Sequence, residues 1–160
     1  MTTPKFEGLF LPTQLHDYEH WRQALGKHDM GFWDYLSVRA DFELAGAFAK
    51  LFWPDFIEVE GYIFLAEHYS EATFRRWQEK TQDRGSIELV INEVHIYDLF
   101  MADKNTQVHP TLFAFLRRIL ADSWECALNS AFSDRQFDFH LGDEPDTYGP
   151  TLTFCQRLSI

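Results

Sequence analysis

The sequence predicts an α+β fold in which about five helices pack on one side of a small antiparallel sheet. Several stretches repeat apolar residues with helical period, and three stretches alternate apolar with polar residues. The alternating stretches lie near 56–66, 136–141 and 151–158. Helices and strands are segregated along the chain, which is typical of α+β rather than α/β proteins. A length of 160 residues suits one domain, so 1–160 is predicted to be a single domain.

The segment before the first strand is predicted to be helical. One helix begins at Thr13 and runs to about Leu25, where Gly26 provides a C-terminal stop. A second helix follows Gly31 and is predicted to continue to Trp53, because Pro54 cannot extend it. That helix is apolar over much of its surface, which is typical of a central helix.

Residues 56–66 have the period of a strand with one buried face. Apolar residues at 57, 59, 63 and 65 alternate with polar residues in the first half of the stretch. Beyond Gly61 both faces are apolar, so the second half is predicted to be covered on both sides. This strand is the expected third partner of a hairpin formed by 136–141 and 151–158, which a turn-rich loop joins.

Three further helices are predicted over about 70–84, 86–100 and 111–132. The middle one is ambiguous, since its β-branched residues favour a strand. Its length and its capping residues favour a helix, which is the interpretation adopted.

The charge of the chain limits the partners that it can bind. The formal net charge is −11, and residues 1–80 and 81–160 carry −5 and −6. The densest basic spots are the pairs Arg75-Arg76 and Arg117-Arg118, which are too small to neutralise a phosphate backbone or an anionic membrane surface. Binding to nucleic acid or to membranes is therefore not expected. An acidic surface suits a basic protein partner, although it also maintains solubility.

The two cysteines, Cys126 and Cys155, match no zinc spacing. The N-terminal residues lack the pattern of a signal peptide, so the sequence predicts a cytoplasmic protein with reduced thiols. No nucleophile motif, phosphate-binding loop or dinucleotide fingerprint occurs, so neither a catalytic residue nor a cofactor is predicted. His16 and His20 lie one helical turn apart, but two histidines do not complete a metal site. Metal binding there is left open.

A polar stripe on the helix predicted for 86–100 is one candidate site. Glu88, Asn92 and His95 lie one turn apart on an otherwise apolar helix. A carboxylate that holds an imidazole could provide a general base in a pocket. The alternative is that the stripe is the solvated side of a surface helix.

Acidic clusters form the other candidate site. Asp143, Glu144 and Asp146 share the hairpin loop with Tyr148, and Glu58 and Glu60 lie on the first strand. If the two segments approach each other, they form an acidic surface that steers a basic partner. An acidic turn without a partner is the alternative, because turns favour Asp on conformational grounds.

These observations favour a non-catalytic, acidic binding protein that covers a basic protein partner, in the manner of immunity or inhibitor proteins. The alternative is a small enzyme or small-ligand-binding protein with an aromatic-lined pocket, since 17% of the residues are aromatic. The sequence does not determine the oligomeric state.

Overall fold

A computed structural model describes residues 11–26, 30–101, 110–142 and 149–157. The chain forms two compact units, residues 1–49 and residues 50–160. The prediction of a single domain over 1–160 stays a prediction. In the described ranges, no helix combines the length and the apolar character needed to cross a bilayer.

The first unit is helical. It contains α1 (His16–Leu25), α2 (Phe32–Arg39) and the first eight residues of α3 (Phe42–Phe52). Tyr18 is buried, and its ring contacts those of Phe32 and Tyr35 edge-on at centroid distances of 5.6 and 5.4 Å. The predicted stop after α1 is confirmed, since Gly26 adopts a left-handed conformation with φ 59°.

The prediction of one long helix over 31–53 is wrong in one respect, because the segment forms two helices. Ala40 is extended, with ψ 132°, and separates α2 from α3. The Asp41 carboxylate accepts a hydrogen bond from the Leu44 backbone N–H at 2.7 Å. Asp41 therefore caps α3 and favours a new helix over continuation of α2.

The second unit combines helices with two antiparallel sheets, which confirms the α+β fold. Its strands are β1 (Phe56–Val59), β2 (Tyr62–Leu65), β3 (Val94–His95), β4 (Phe137–Gly142) and β5 (Thr151–Gln156). Its helices are α4 (Glu71–Lys80), α5 (Arg84–Ile91) and α6 (Pro110–Ala131), with a 3-10 turn at Ile96–Phe100. Strands β1 and β2 form one sheet, and the other has the order β3-β5-β4. The predicted C-terminal hairpin and last helix are confirmed.

The prediction of one strand over 56–66 is wrong, because the stretch is a hairpin. Val59 pairs with Tyr62 across a two-residue turn in which Glu60 and Gly61 have φ of 53° and 83°. Positive φ at both positions is what a type I′ turn requires. Backbone pairing therefore joins β1 to β2 rather than to the C-terminal hairpin, whose third strand is β3.

The helix predicted for 86–100 ends nine residues early, at Ile91. It also begins earlier, because the Asp83 carboxylate accepts a hydrogen bond from Ser86 N–H at 2.8 Å and caps α5. Val94 then pairs with Leu152 in β3. The β-branched residues thus indicated a strand correctly beyond the end of α5.

Hydrophobic clusters lie on both faces of the β1-β2 hairpin, as predicted for its second half. Ile63 and Leu65 pack in a cluster with Trp124 of α6 and Phe154 of β5. Phe64 packs in a second cluster, whose other buried members are Phe74, Ile87 and Ile91.

Candidate functional site

Helix α5 places the side chains of Glu88 and Asn92 in the interior. Both residues are 0% exposed. The interpretation of this stripe as the solvated side of a helix is therefore wrong. Burying a polar group costs free energy unless the group is hydrogen-bonded. The hydrogen-bond partners of Glu88 and Asn92 therefore indicate the role of the stripe.

Asn92 is hydrogen-bonded to two strands at once. Its Oδ1 accepts a hydrogen bond from Leu65 N–H of β2 at 2.9 Å. Its Nδ2 donates to the Ile63 carbonyl of β2 at 3.0 Å and to the Phe154 carbonyl of β5 at 3.2 Å. The amide thus satisfies backbone groups at the facing edges of β2 and β5.

Glu88 makes the equivalent bridge one helical turn earlier. Its Oε1 accepts from Ile63 N–H of β2 at 2.8 Å, and its Oε2 accepts from Gln156 N–H of β5 at 2.7 Å. The Gln156 side-chain amide also donates to Oε1, at 2.5 Å. Burial raises the pKa of the Glu88 carboxyl, while these three hydrogen bonds and the charge of Arg84 oppose that shift.

The two side chains join β2 to β5 where backbone pairing is absent. Glu88 contacts residues 63 and 156, whereas Asn92 contacts 63, 65 and 154, so β2 and β5 run antiparallel beside each other. The expectation that 56–66 is the third strand of the C-terminal hairpin is therefore wrong, because side chains rather than backbone hydrogen bonds connect β2 to β5. The stripe therefore has a structural role in the described fold.

His95 does not extend this stripe. The helix ends at Ile91, and His95 lies on β3, where it pairs with Thr151. Its Nε2 lies 3.9 Å from Glu93 Oε2. The triad expected to form a pocket is thus divided between a helix and a strand.

The acidic residues predicted to bind a partner fall into two groups, of which the structure describes one. Asp143, Glu144, Asp146 and Tyr148 lie outside the described residues. Glu58 and Glu60 are exposed, but each binds an arginine of the same unit. Glu58 contacts Arg135 at 2.6 Å, and Glu60 contacts Arg75 at 2.6 Å.

A polar cleft of about 480 Å³ was not expected from the sequence. Three arginines and one carboxylate line it. The arginines come from α5, from the residues before β4 and from the residue after β5, and the carboxylate precedes β4: Arg84, Arg135, Arg157 and Asp134. Arg135 is paired with Glu58, and Arg157 is paired with Asp138. The Arg84 guanidinium lies 5.2 Å from the Tyr62 ring centroid, and no described carboxylate is within ion-pair distance of it. No signal in the sequence groups these residues, since they are far apart along the chain.

Helices α2 and α3 expose large apolar side chains. No residue of either helix is buried. Trp33 is 82% exposed and Phe42 is 93% exposed, and Val38 and Leu44 are more than half exposed. The exposed acids Asp34, Asp41 and Glu43 lie on the same segment. These seven residues are called the α2–α3 surface below.

The structure also bears on the two histidines of α1 and on Cys155. Among the described residues, no group of three or more His, Cys, Asp or Glu side chains could hold a metal ion, and His16 and His20 are exposed on α1. The pKa of the Cys155 thiol is raised, mainly by burial and also by the charge of Glu88, so the structure does not favour a thiolate there.

The chain was compared with protein-family models, with curated proteins and with solved structures. No match was found in any of the three comparisons.

Proposed function

We propose that this chain is a non-catalytic binding protein that covers a basic protein partner, as immunity and inhibitor proteins do. The observation that carries the proposal is the exposure of Trp33 and Phe42 on helices without a buried residue. Large aromatic side chains dominate binding energy at protein interfaces, and tryptophan is the most enriched of them.

The charge of the α2–α3 surface favours a basic partner over an acidic one. The segment 31–49 that contains it exposes three acids, Asp34, Asp41 and Glu43, against one base, Arg39, and the whole chain has a formal net charge of −11. Such a field increases the rate of encounter with a basic protein, and the apolar side chains then provide affinity. The acidic loop at Asp143, Glu144 and Asp146 is proposed to add to this steering.

The structural role of Glu88 and Asn92 also supports a non-catalytic function. The stripe was the main candidate for a general base, but its polar atoms are occupied by the backbone of β2 and β5. A group that must move a proton for a substrate needs access to that substrate.

The test is affinity capture from a cell extract at low and high salt, followed by binding measurements with each purified partner. The bait variants are Trp33→Ser with Phe42→Ser, and Asp143, Glu144 and Asp146 all changed to Asn. Met101→Ser is the matched control, because Met101 is 75% exposed and lies outside the α2–α3 surface.

The proposal expects one discrete basic protein that binds wild type and the Met101 control equally. The aromatic double variant should weaken binding about 100-fold, as loss of two aromatic anchors does. Binding of the loop variant should become slower and less sensitive to salt. Equal binding by all variants, or an acidic partner, would contradict the proposal.

A second candidate function is the binding of a small anion in the arginine-lined cleft. Arg84 favours it, since its guanidinium is held against Tyr62 and keeps its donors available within the described residues. Titration calorimetry with inorganic phosphate and with citrate tests this function. Arg84→Gln should weaken binding about tenfold, as loss of a charged hydrogen bond does, and the exposed Arg76→Gln should not. The absence of a binding heat for wild type would contradict it.

A further inference from the structure

The outer edge of β4 presents backbone groups that β5 does not use. The Gln136 carbonyl accepts a hydrogen bond from Arg157 N–H at 2.8 Å, which fixes the phase of the β4-β5 ladder. Because antiparallel residues alternate, Asp138 and His140 direct their backbone groups toward β5. The residues that direct N–H and C=O groups away from β5 are Phe137, Phe139 and Leu141.

This edge is open in the described part of the chain. The outward backbone groups of Phe137, Phe139 and Leu141 have no hydrogen-bond partner among the described residues. A cleft of about 250 Å³ lies beside the strand and is lined by these three residues and by part of α6. Leu141 is 41% exposed.

Strand β4 lacks three of the features that commonly protect an edge. Proline, lysine and bulges block the pairing of edge strands with other chains. The sequence of β4 is Phe-Asp-Phe-His-Leu-Gly, and it pairs residue for residue with β5 without a bulge. An edge of six residues without proline, lysine or a bulge is suited to pairing with another strand.

The strand is complementary to itself in one antiparallel register. If Phe139 lies on a two-fold axis, Phe137 of one copy faces Leu141 of the other on the apolar side. On the opposite side Asp138, which is also paired with Arg157 of its own chain, faces His140 of the second copy, so an acid meets a base twice. The nearest alternative registers move one strand by two residues relative to the other. One of them places Asp138 opposite Asp138, and the other places His140 opposite His140. Cross-strand pairs of opposite charge stabilise a sheet, and like charges destabilise it.

We propose that two copies of this chain associate through antiparallel β4-β4 pairing about a two-fold axis near Phe139. The two three-stranded sheets then become one continuous six-stranded sheet. Such an interface is small, so a weak and concentration-dependent dimer is expected. This association is independent of the α2–α3 surface and of the basic partner proposed above.

The first experiment is sedimentation equilibrium of the full chain from about 10 μM to about 1 mM, the range in which a weak interface becomes populated. The proposal expects a monomer that converts to a dimer and no further. A monomer over the whole range would overturn it. Continued growth to larger species would also overturn it, because a two-fold interface is closed.

Variants test the edge and the register separately. Leu141→Pro removes an N–H that points away from β5, so the fold should tolerate it while the dimer is lost. Leu141→Ala keeps that N–H and should dimerise with at most a severalfold change. His140→Asp places like charges opposite Asp138 and should weaken the dimer about tenfold, whereas His140→Lys should not weaken it. A dimer that resists Leu141→Pro, with the wild-type circular dichroism spectrum retained, would overturn the proposal.

Amide exchange identifies the edge directly. The amides of Phe137, Phe139 and Leu141 should exchange more slowly as the protein concentration rises. The amides of Phe56 and Glu58 are an internal control, because the β1-β2 register directs them away from β2 at another sheet edge. If exchange slows with protein concentration at the β1 edge but not at the β4 edge, the dimer forms through β1, and the inference is refuted.

Discussion

Replacing Asn92 tests whether one buried amide joins the two sheets. Asn92→Ala leaves three backbone groups without their partners, namely Leu65 N–H, Ile63 C=O and Phe154 C=O. Each unsatisfied buried group costs about 1–3 kcal/mol, and water that enters the vacated space recovers part of it. We expect the free energy of unfolding to fall by about 3–5 kcal/mol, a large part of the stability of a typical domain.

Asn92→Asp is the sharper form of this test. The carboxylate could still accept from Leu65 N–H, but it would face the carbonyl oxygens of Ile63 and Phe154, which need donors. The pKa of the introduced carboxyl should therefore be raised in the folded state. The folded state then binds more protons than the unfolded state, so stability should rise as the pH falls through that pKa.

Urea unfolding followed by circular dichroism at several pH values provides the measurement. Asn129→Ala is the matched control, because Asn129 is exposed on α6 and its loss should change stability by less than about 0.5 kcal/mol. The reasoning is refuted if Asn92→Ala remains within about 1 kcal/mol of wild type, which is less than one unsatisfied group costs.

Three further predictions concern stability. Burial raises the pKa of Glu88 in the folded state, so the free energy of unfolding of the wild type should fall, relative to that of Glu88→Gln, as the pH rises from acid to neutral. If urea unfolding gives the same pH dependence for both proteins, this prediction is contradicted. Gly149→Ala should destabilise by about 2–3 kcal/mol, since a Cβ there would lie 2.4 Å from the Tyr97 ring and φ is 88°. In a double-mutant cycle, Tyr97→Ala should remove the part of that effect that exceeds the cost of the positive φ, about 1–2 kcal/mol, and full additivity would disprove the contact. Gly61→Ala should cost about 1–2 kcal/mol because φ is 83° in the hairpin turn, and an unchanged midpoint of thermal unfolding would argue against that turn.

The sequence predicted correctly those helices and strands whose own residues carry a long, regular apolar pattern. The sustained helical period over 111–132 and the alternation in 136–141 and 151–158 correspond to α6, β4 and β5. The β1-β2 hairpin was missed because its turn has only two residues, so the alternating pattern in the sequence continues without a break from Val59 through Gly61 to Ile63. The turn also has glutamate at its first position, where asparagine or aspartate is the usual signal.

The role of Glu88 and Asn92 could not be read from spacing alone. A polar stripe on an apolar helix has the same pattern whether it faces water or the unpaired edges of two strands. The difference depends on contacts with residues more than 20 positions away along the chain. The acidic loop prediction remains untested, while the exposed aromatic residues of α2 and α3 were expected to form part of a buried central helix.

The most direct measurement is native-state hydrogen exchange at three strand amides that donate to side chains of α5. We expect Ile63, Leu65 and Gln156 N–H to be strongly protected in wild type, although none of them donates to another strand. Leu65 should lose protection selectively in Asn92→Ala. If all three amides exchange in wild type as rapidly as the outward amides of Phe56 and Glu58, then Glu88 and Asn92 do not join the sheets. Their side chains would then be available for the chemistry that the proposed function excludes.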